Sequence, residues 1–163
     1  MRKKFFLLAC LLLFPPLLLA YEPTIPQAVV FNTCLVEGPS GSGHFKVACR
    51  ALSMYAKVPV MIRIDGGDEL AIKGKRVLRG HLKKGQASEF YIECKRHNSN
   101  SQAVLHIELR FRYPYKAMRK AVQENAYGRY STKDEIDDVI NELNSLQSAE
   151  ETVWTLDRAI ILD

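Results

Sequence analysis

The sequence contains none of the local motifs that mark nucleophilic catalysis or nucleotide binding. No G-x-S-x-G elbow is present, and Ser40 and Ser42 lie in a loop that precedes a strand pattern instead of at a strand-to-helix turn. The glycine-rich stretch 38–43 is spaced like the start of a P-loop. However, His44 and Phe45 stand where a lysine and a hydroxyl would hold phosphate and magnesium. We therefore predict no catalytic residue and no nucleotide cofactor.

Histidine is scarce, and its four copies are not spaced as metal ligands: His44, His81, His97 and His106. His106 and Glu108 share one strand face and could both reach a zinc ion. The same face continues as Arg110 and Arg112, whose positive charge opposes a bound cation. We therefore predict a solvated face, with no metal and no other cofactor.

The sequence has one long apolar run, residues 5–20, and Pro15 and Pro16 interrupt it. A short cationic lead precedes the run and Ala20 ends it, which is the layout of a secretory signal peptide covering residues 1–20. A membrane anchor is the alternative, but a spanning helix needs about 20 apolar residues without a central helix breaker. A third interpretation is lipidation of Cys10. We expect export to the periplasm or secretion, with membrane attachment only if the signal is uncleaved or Cys10 is lipidated.

Net charge is small once residues 1–20 are removed, because the remaining chain has 20 Lys and Arg and 18 Asp and Glu. The charge is unevenly distributed. Residues 21–115 carry 14 basic and 8 acidic groups, whereas residues 116–163 carry 6 and 10. This distribution is typical of internal docking, of a polarised partner surface, or simply of two solvated faces. Residues 110–115 are basic and aromatic like a nucleic-acid patch, but expected export and the small net charge argue against nucleic-acid binding.

The clearest secondary-structure pattern runs from Leu82 to Phe111. Apolar and polar residues alternate over 89–95 and again over 105–112, and the polar segment 98–101 separates them. We predict a β-hairpin here. Similar patterns over 27–36, 45–49, 58–64, 69–72 and 77–78 bring the total to six or seven short strands. They predict an antiparallel β-sandwich domain over 21–115, for which an immunoglobulin-like order is one arrangement.

The pattern changes to helical spacing after Tyr115, and we predict two or three helices. Residues 116–127 are rich in helix formers, and Thr132 and Glu135 form a capping box. Apolar residues then follow at steps of three and four: Ile136, Val139, Ile140, Leu143 and Leu146. We predict that residues 116–163 form a helical extension, and that this stripe packs on the sheet or on a partner. Residues 149–162 fit either a further helix or a strand.

Three cysteines remain after the signal peptide, so at most one intramolecular disulfide can form. We predict a bridge between Cys34 and Cys49, which an antiparallel hairpin register can place opposite each other. The alternative pairs Cys49 with Cys94, since both follow clear apolar alternations.

These observations predict an exported, non-enzymatic envelope or secreted module that acts through protein–protein contacts. Two alternatives belong to other classes. A secreted hydrolase would need a polar cleft that gathers His81, His97 or His106. A small carrier of hydrophobic ligands would need an apolar cavity inside the sheet.

Overall fold

The computed structural model describes residues 25–38, 43–98, 102–126, 128–150 and 152–162. The predicted signal peptide, Cys10 and most of the glycine-rich loop lie outside the described residues. Among those residues, no helix is long and apolar enough to cross a membrane.

The described residues are mostly β-structure, with two helices and two antiparallel sheets. The strands are β1 (Val29–Glu37), β2 (His44–Ser53), β3 (Val58–Asp65), β4 (Leu70–Ile72), β5 (Val77–Leu82), β6 (Ala87–Arg96), β7 (Ala103–Arg112) and β8 (Val153–Leu162). The helices are α1 (Tyr115–Gln123) and α2 (Lys133–Ser148). The first sheet has the order β1-β2-β6-β4, and the second has the order β5-β3-β7-β8.

Both sheets bury one face in a single shared core. Alternate residues of β2 and β7 are buried, as the period of two requires. The large buried side chains come from both sheets and from the helices: Phe31, Leu70, Leu105, Ile107, Leu109, Met118, Leu143 and Leu162. The opposite face of each sheet is therefore left to solvent or to a partner.

The strands predicted over 89–95 and 105–112 are confirmed as β6 and β7, but the predicted hairpin between them is wrong. β6 pairs with β2 and β4, whereas β7 pairs with β3 and β8. The two strands therefore belong to different sheets. Alternation reports that a strand has one buried face, but it does not report which strand lies beside it.

The capping box at the start of α2 is confirmed. The backbone N–H of Glu135 donates to Thr132 Oγ1 at 3.2 Å, and the backbone N–H of Thr132 donates to Glu135 Oε2 at 3.3 Å. Since these bonds satisfy free N–H groups of the first turn, they fix where the helix begins.

The helical extension predicted for residues 116–163 is wrong in its last part. β8 pairs with β7 along its whole length, from Val153 opposite Arg112 to Leu162 opposite Ala103. Its alternating burial follows the strand period, with Trp154 and Leu156 turned inward. Residues 149–150 therefore form a turn and residues 153–162 a strand. In chain order, α1 and α2 come between β7 and β8, which are neighbours in the second sheet.

Neither predicted disulfide is present in the described residues, where Cys34, Cys49 and Cys94 are free. Cys34 pairs with Ala48, and Thr33 pairs with Cys49, so the register is one residue away from the predicted one. A shift of one residue puts two side chains on opposite faces of the sheet.

The alternative bridge fails for a different reason. Cys49 lies opposite Phe90, and Cys94 lies opposite Phe45. The two cysteines are thus four positions apart along neighbouring strands, or roughly 13 Å. Their Cα atoms would have to come within about 7 Å for a disulfide.

Candidate functional site

The apolar stripe that was predicted as a packing or partner surface lies inside the protein. Val139 and Leu143 have no exposed surface, and Ile136, Ile140 and Leu146 are partly buried against the core. α2 packs mainly on α1, which buries Tyr115, Met118 and Val122. The stripe therefore stabilises the fold and leaves no free apolar face for a partner.

The histidines proposed for a hydrolase site are not brought together. His81 lies on β5 opposite Pro59, and His106 lies on β7 opposite Asp65. Pro59 and Asp65 are six residues apart on β3, which separates the two histidines by roughly 20 Å along the sheet. His97 follows β6 at the end of the other sheet, where its backbone N–H donates to Glu69 O.

Glu108, the other residue considered for zinc, is bound to an arginine. Its Oε1 lies 2.6 Å from Arg110 Nε, and its Oε2 accepts a hydrogen bond from Arg110 Nη2 at 3.0 Å. The residues that the structure describes contain no group of three or more His, Cys, Asp or Glu side chains that could hold a metal ion.

The outer face of the second sheet carries a concentration of basic side chains near α1. Strand pairing brings them together: Met61 lies opposite both Arg79 on β5 and Arg110 on β7, and Arg110 lies opposite Thr155 on β8. Two residues further along each strand, His81 lies opposite Pro59, and Arg112 lies opposite Val153. Three arginines and a histidine therefore surround an apolar centre.

Two adjoining clefts follow this surface and share Arg112. The first has a volume of about 620 Å³ and is lined by the outward-facing residues Pro59, Met61, Arg79, His81, Arg110, Arg112 and Val153, together with parts of Val60, Gly80 and Phe111. The second, of about 730 Å³, runs from Arg112 along the start of α1. Besides Arg112, its basic residues are Lys116 and Lys120. We call the two clefts together the basic groove, with cationic residues Arg79, Arg110, Arg112, Lys116 and Lys120 and with His81 at its edge.

The positive charges of the basic groove are unequally compensated. Arg110 is held by Glu108, whose hydrogen bond and negative charge raise the pKa of the guanidinium. Lys120 lies 3.7 Å from Glu124. Within the described part of the chain, Arg79 and Arg112 make no ion pair with a carboxylate. The first cleft thus has two uncompensated arginines at its walls.

This arrangement can bind anionic groups. A guanidinium presents a planar fork of donors that matches a carboxylate or a phosphate. Met61, between Arg79 and Arg110, is half-buried, and Val153, beside Arg112 on the edge strand, is 60% exposed. Apolar groups of a ligand would therefore also find a contact. The groove therefore suits a ligand that carries both negative charge and apolar surface.

Sequence reasoning identified only part of the groove. Residues 110–115 stood out as basic and aromatic, and the alternation of Arg110 and Arg112 placed both on one strand face. The contributions of Arg79, His81 and Met61 were missed because they depend on the pairing of β5 with β3 and of β3 with β7. Their alternation with inward-facing residues is a signal of outward orientation, but it does not identify their neighbours.

No family model and no curated protein matches this sequence. Among solved structures, the chain is similar to a FixG-related protein from Vibrio parahaemolyticus, with a TM-score of 0.42 and 8% sequence identity. The match covers 85% of this chain and 99% of that one. A likeness at this level supports no argument about function.

Proposed function

We propose that this protein is a non-enzymatic interaction module of the cell envelope or the secreted fraction, and that it binds another protein through the basic groove. Export is supported by the signal-peptide pattern of residues 1–20. The binding role is supported by the chemistry of the second sheet's outer face.

The observation that carries the proposal is the pair of uncompensated arginines beside an exposed apolar floor. Arg79 and Arg112 face Met61 and Val153 across strands whose register is fixed by backbone pairing. Arginine and methionine are enriched at protein–protein interfaces. A rigid sheet also holds the side chains in place before binding, which reduces the entropy lost on association.

The test is a charge reversal at the two arginines with a matched control elsewhere. Arg79→Glu/Arg112→Glu changes the groove, whereas Lys75→Glu/Lys95→Glu changes net charge equally at two exposed residues that line neither of its clefts. A protein retained from the envelope fraction by immobilised wild type is to be identified, purified and titrated against all three proteins.

We expect the groove variant to bind this purified partner at least tenfold more weakly than wild type, and the control to bind within about twofold, since tenfold corresponds to about 1.4 kcal/mol. Circular dichroism melting of all three proteins checks that folding is unchanged. Equal affinities of folded wild type and groove variant would overturn the proposal.

A related proposal concerns the fold, which we infer to be an immunoglobulin-like β-sandwich. If β1, β2, β6 and β4 correspond to strands A, B, E and D, and β3, β7 and β8 to C, F and G, both sheets have the order of a constant-type domain, with β5 added beside C. The chain departs from that pattern because β4 precedes β5 and two helices separate β7 from β8. Cys49 and Cys94 also lie in one sheet, so they cannot form the bridge between sheets.

A further inference from the structure

We infer that the basic groove takes an extended acidic segment of a partner protein, in which apolar side chains lie between the carboxylates. This inference rests on the proposed function and specifies the partner's chemistry. Its support comes from how charge, apolar surface and aromatic rings are distributed around the groove.

Charge on the outer face of the second sheet changes along the strands. The two rows nearest α1 contain cations and no carboxylate: His81, Pro59, Arg112 and Val153 in one, and Arg79, Met61, Arg110 and Thr155 in the other. The next row consists of Val77, Arg63, Glu108 and Asp157, and the last two are acidic. Because the acidic row would repel an anionic ligand, such a ligand is directed towards the α1 end.

The cations continue beyond the sheet in one direction. Arg112 belongs to both clefts, and the second cleft leads from it to Lys116 and Lys120 on the first turns of α1. A compact anion could contact only one part of this series. An extended chain with several negative groups could contact Arg79 at one end and the lysines at the other.

The apolar floor and the buried aromatic rings favour a polypeptide over a nucleic acid. Single-stranded nucleic acids are held by bases stacked on exposed aromatic rings. Phe111, Tyr113 and Tyr115, the rings nearest the groove, are only 3%, 3% and 6% exposed. Met61 and Val153 instead offer aliphatic surface, which suits apolar side chains of a peptide.

Glu108 provides a second, opposite prediction. Its carboxylate occupies one edge of the Arg110 guanidinium and adds a negative charge beside the groove. Glu108→Gln keeps a similar shape but removes that charge. An acidic ligand should therefore bind Glu108→Gln more tightly than wild type. The same ligand should bind Arg79→Glu/Arg112→Glu more weakly than wild type.

The experiment is a fluorescence-anisotropy titration of the wild-type protein with two labelled peptides of equal length and charge. One contains glutamate and serine, and in the other some serines are replaced by leucine. A single-stranded DNA oligonucleotide and vesicles containing an anionic phospholipid are the other probes. The variants Arg79→Glu/Arg112→Glu, Lys75→Glu/Lys95→Glu and Glu108→Gln are titrated in parallel.

The inference predicts that the leucine-containing peptide binds about threefold to tenfold more tightly than its serine counterpart. Its affinity should fall at least tenfold in the groove variant, stay within about twofold in the lysine control and rise in Glu108→Gln. Added salt should weaken binding, because the charged groups are exposed. Equal affinity for both peptides, no peptide binding, or tighter binding to DNA or vesicles would overturn it.

Failure of this inference can be distinguished from failure of the proposed function, because one is tested with peptides and the other with the purified partner. If a purified partner depends on Arg79 and Arg112 but neither peptide binds, the proposed function stands and the acidic segment is wrong. In the opposite outcome, the leucine peptide binds at the groove while the purified partner has the same affinity for wild type and for Arg79→Glu/Arg112→Glu. In that case the groove is an acidic-peptide site and the proposed function is wrong.

Discussion

The outer faces of the two sheets balance their charges differently. On the first sheet, cations lie close to carboxylates: Lys46 is 3.7 Å from Glu37, Arg50 is 3.6 Å from Glu89, and Lys73 beside β4 is 2.6 Å from Glu93. On the second sheet, Arg110 pairs with Glu108, while Arg79 and Arg112 pair with no carboxylate in the described residues. Charge compensation is typical of a solvated surface, so the second sheet is the better candidate for binding.

Apolar surface differs between the faces as well. The large exposed ring on the first sheet is Tyr91, and the Lys46 ammonium lies 5.0 Å from its centre. On the second sheet, Val153 borders the cleft beside Arg112 and is 60% exposed. The first sheet also exposes Leu35 and Val36 near the end of β1. The two faces therefore differ mainly in how their apolar surface is placed: only on the second sheet does it adjoin arginines that have no carboxylate partner in the described residues.

The largest effect is expected from a substitution in the hydrophobic core, because the positions of both outer faces depend on it. Leu143→Asp puts a carboxylate at a fully buried position, so we expect the free energy of unfolding to fall by about 3–5 kcal/mol. Urea denaturation measures this. Asn144→Asp, at the exposed neighbouring position, is the control and should change stability by less than about 0.5 kcal/mol. Similar stability of both variants would show that the stripe does not pack inside the protein.

The next effect tests the register that determines which residues face outward on the first sheet. Cys34 is exposed, whereas burial raises the pKa of the Cys49 thiol to about 12 and also raises the pKa of Cys94. The thiolate is the reactive species, so its population at neutral pH is very small at the buried sites. In the protein without residues 1–20, which contain Cys10, we expect one fast-labelling thiol per native chain, and two more only after denaturation.

Mass spectrometry of the labelled protein assigns the sites, and labelling in denaturant is the control. Non-reducing peptide mapping accompanies it. A Cys34–Cys49 or Cys49–Cys94 peptide would contradict the register described here.

A smaller effect tests whether unpaired positive charge is sufficient for binding when the apolar surface of the groove is absent. In the Arg79→Glu/Arg112→Glu background, Glu89→Gln/Glu93→Gln removes two carboxylates from the first sheet and leaves Arg50 and Lys73 without their partners. We expect less than a twofold gain in affinity for the leucine-containing peptide, because the exposed aliphatic residues of the first sheet do not adjoin the freed cations. Leu35 and Val36 lie three and four residues along β1 from Asn32, the residue opposite Arg50.

Fluorescence anisotropy measures this affinity, and Glu89→Asp/Glu93→Asp is the charge-preserving control. A return to wild-type affinity would mean that unpaired positive charge is sufficient for binding on either face.

The smallest effect concerns two exposed valines on opposite edges of the second sheet. Val153 lines the groove and Val77 does not. Val153→Thr removes apolar contact with little change in shape, so the affinity for the leucine-containing peptide should fall about threefold. Val77→Thr should leave it unchanged, and titration of both variants decides. Equal losses of affinity in the two variants would indicate that a valine contributes to peptide binding whether or not it lines the groove.

Sequence reasoning predicted the features that depend on neighbours in the chain. The strands β6 and β7 follow from alternation, and the start of α2 follows from Thr132 and Glu135. The end of the chain was ambiguous because Val153, Trp154 and Ile160 suit a helix or a strand when considered alone. Their pairing with β7 decides it.

Features that depend on distant parts of the chain were not predictable in the same way. The two strands of the predicted hairpin lie in different sheets, and the pairing of β1 with β2 differs by one residue from the register that would place Cys34 opposite Cys49. The basic groove has the same origin, since Arg79 and Arg110 are neighbours only because both of their strands pair with β3. Register decides which side chains meet, and it is determined by the whole core.

The central claim is that the second sheet's outer face binds while the first sheet's does not. Backbone amide NMR shifts, recorded while the leucine-containing peptide is added to wild-type protein, test it most directly. We predict saturable changes at Arg79, Met61, Arg110 and Arg112, with none at Lys46. Changes centred on the first sheet, or spread equally over both faces, would contradict the account.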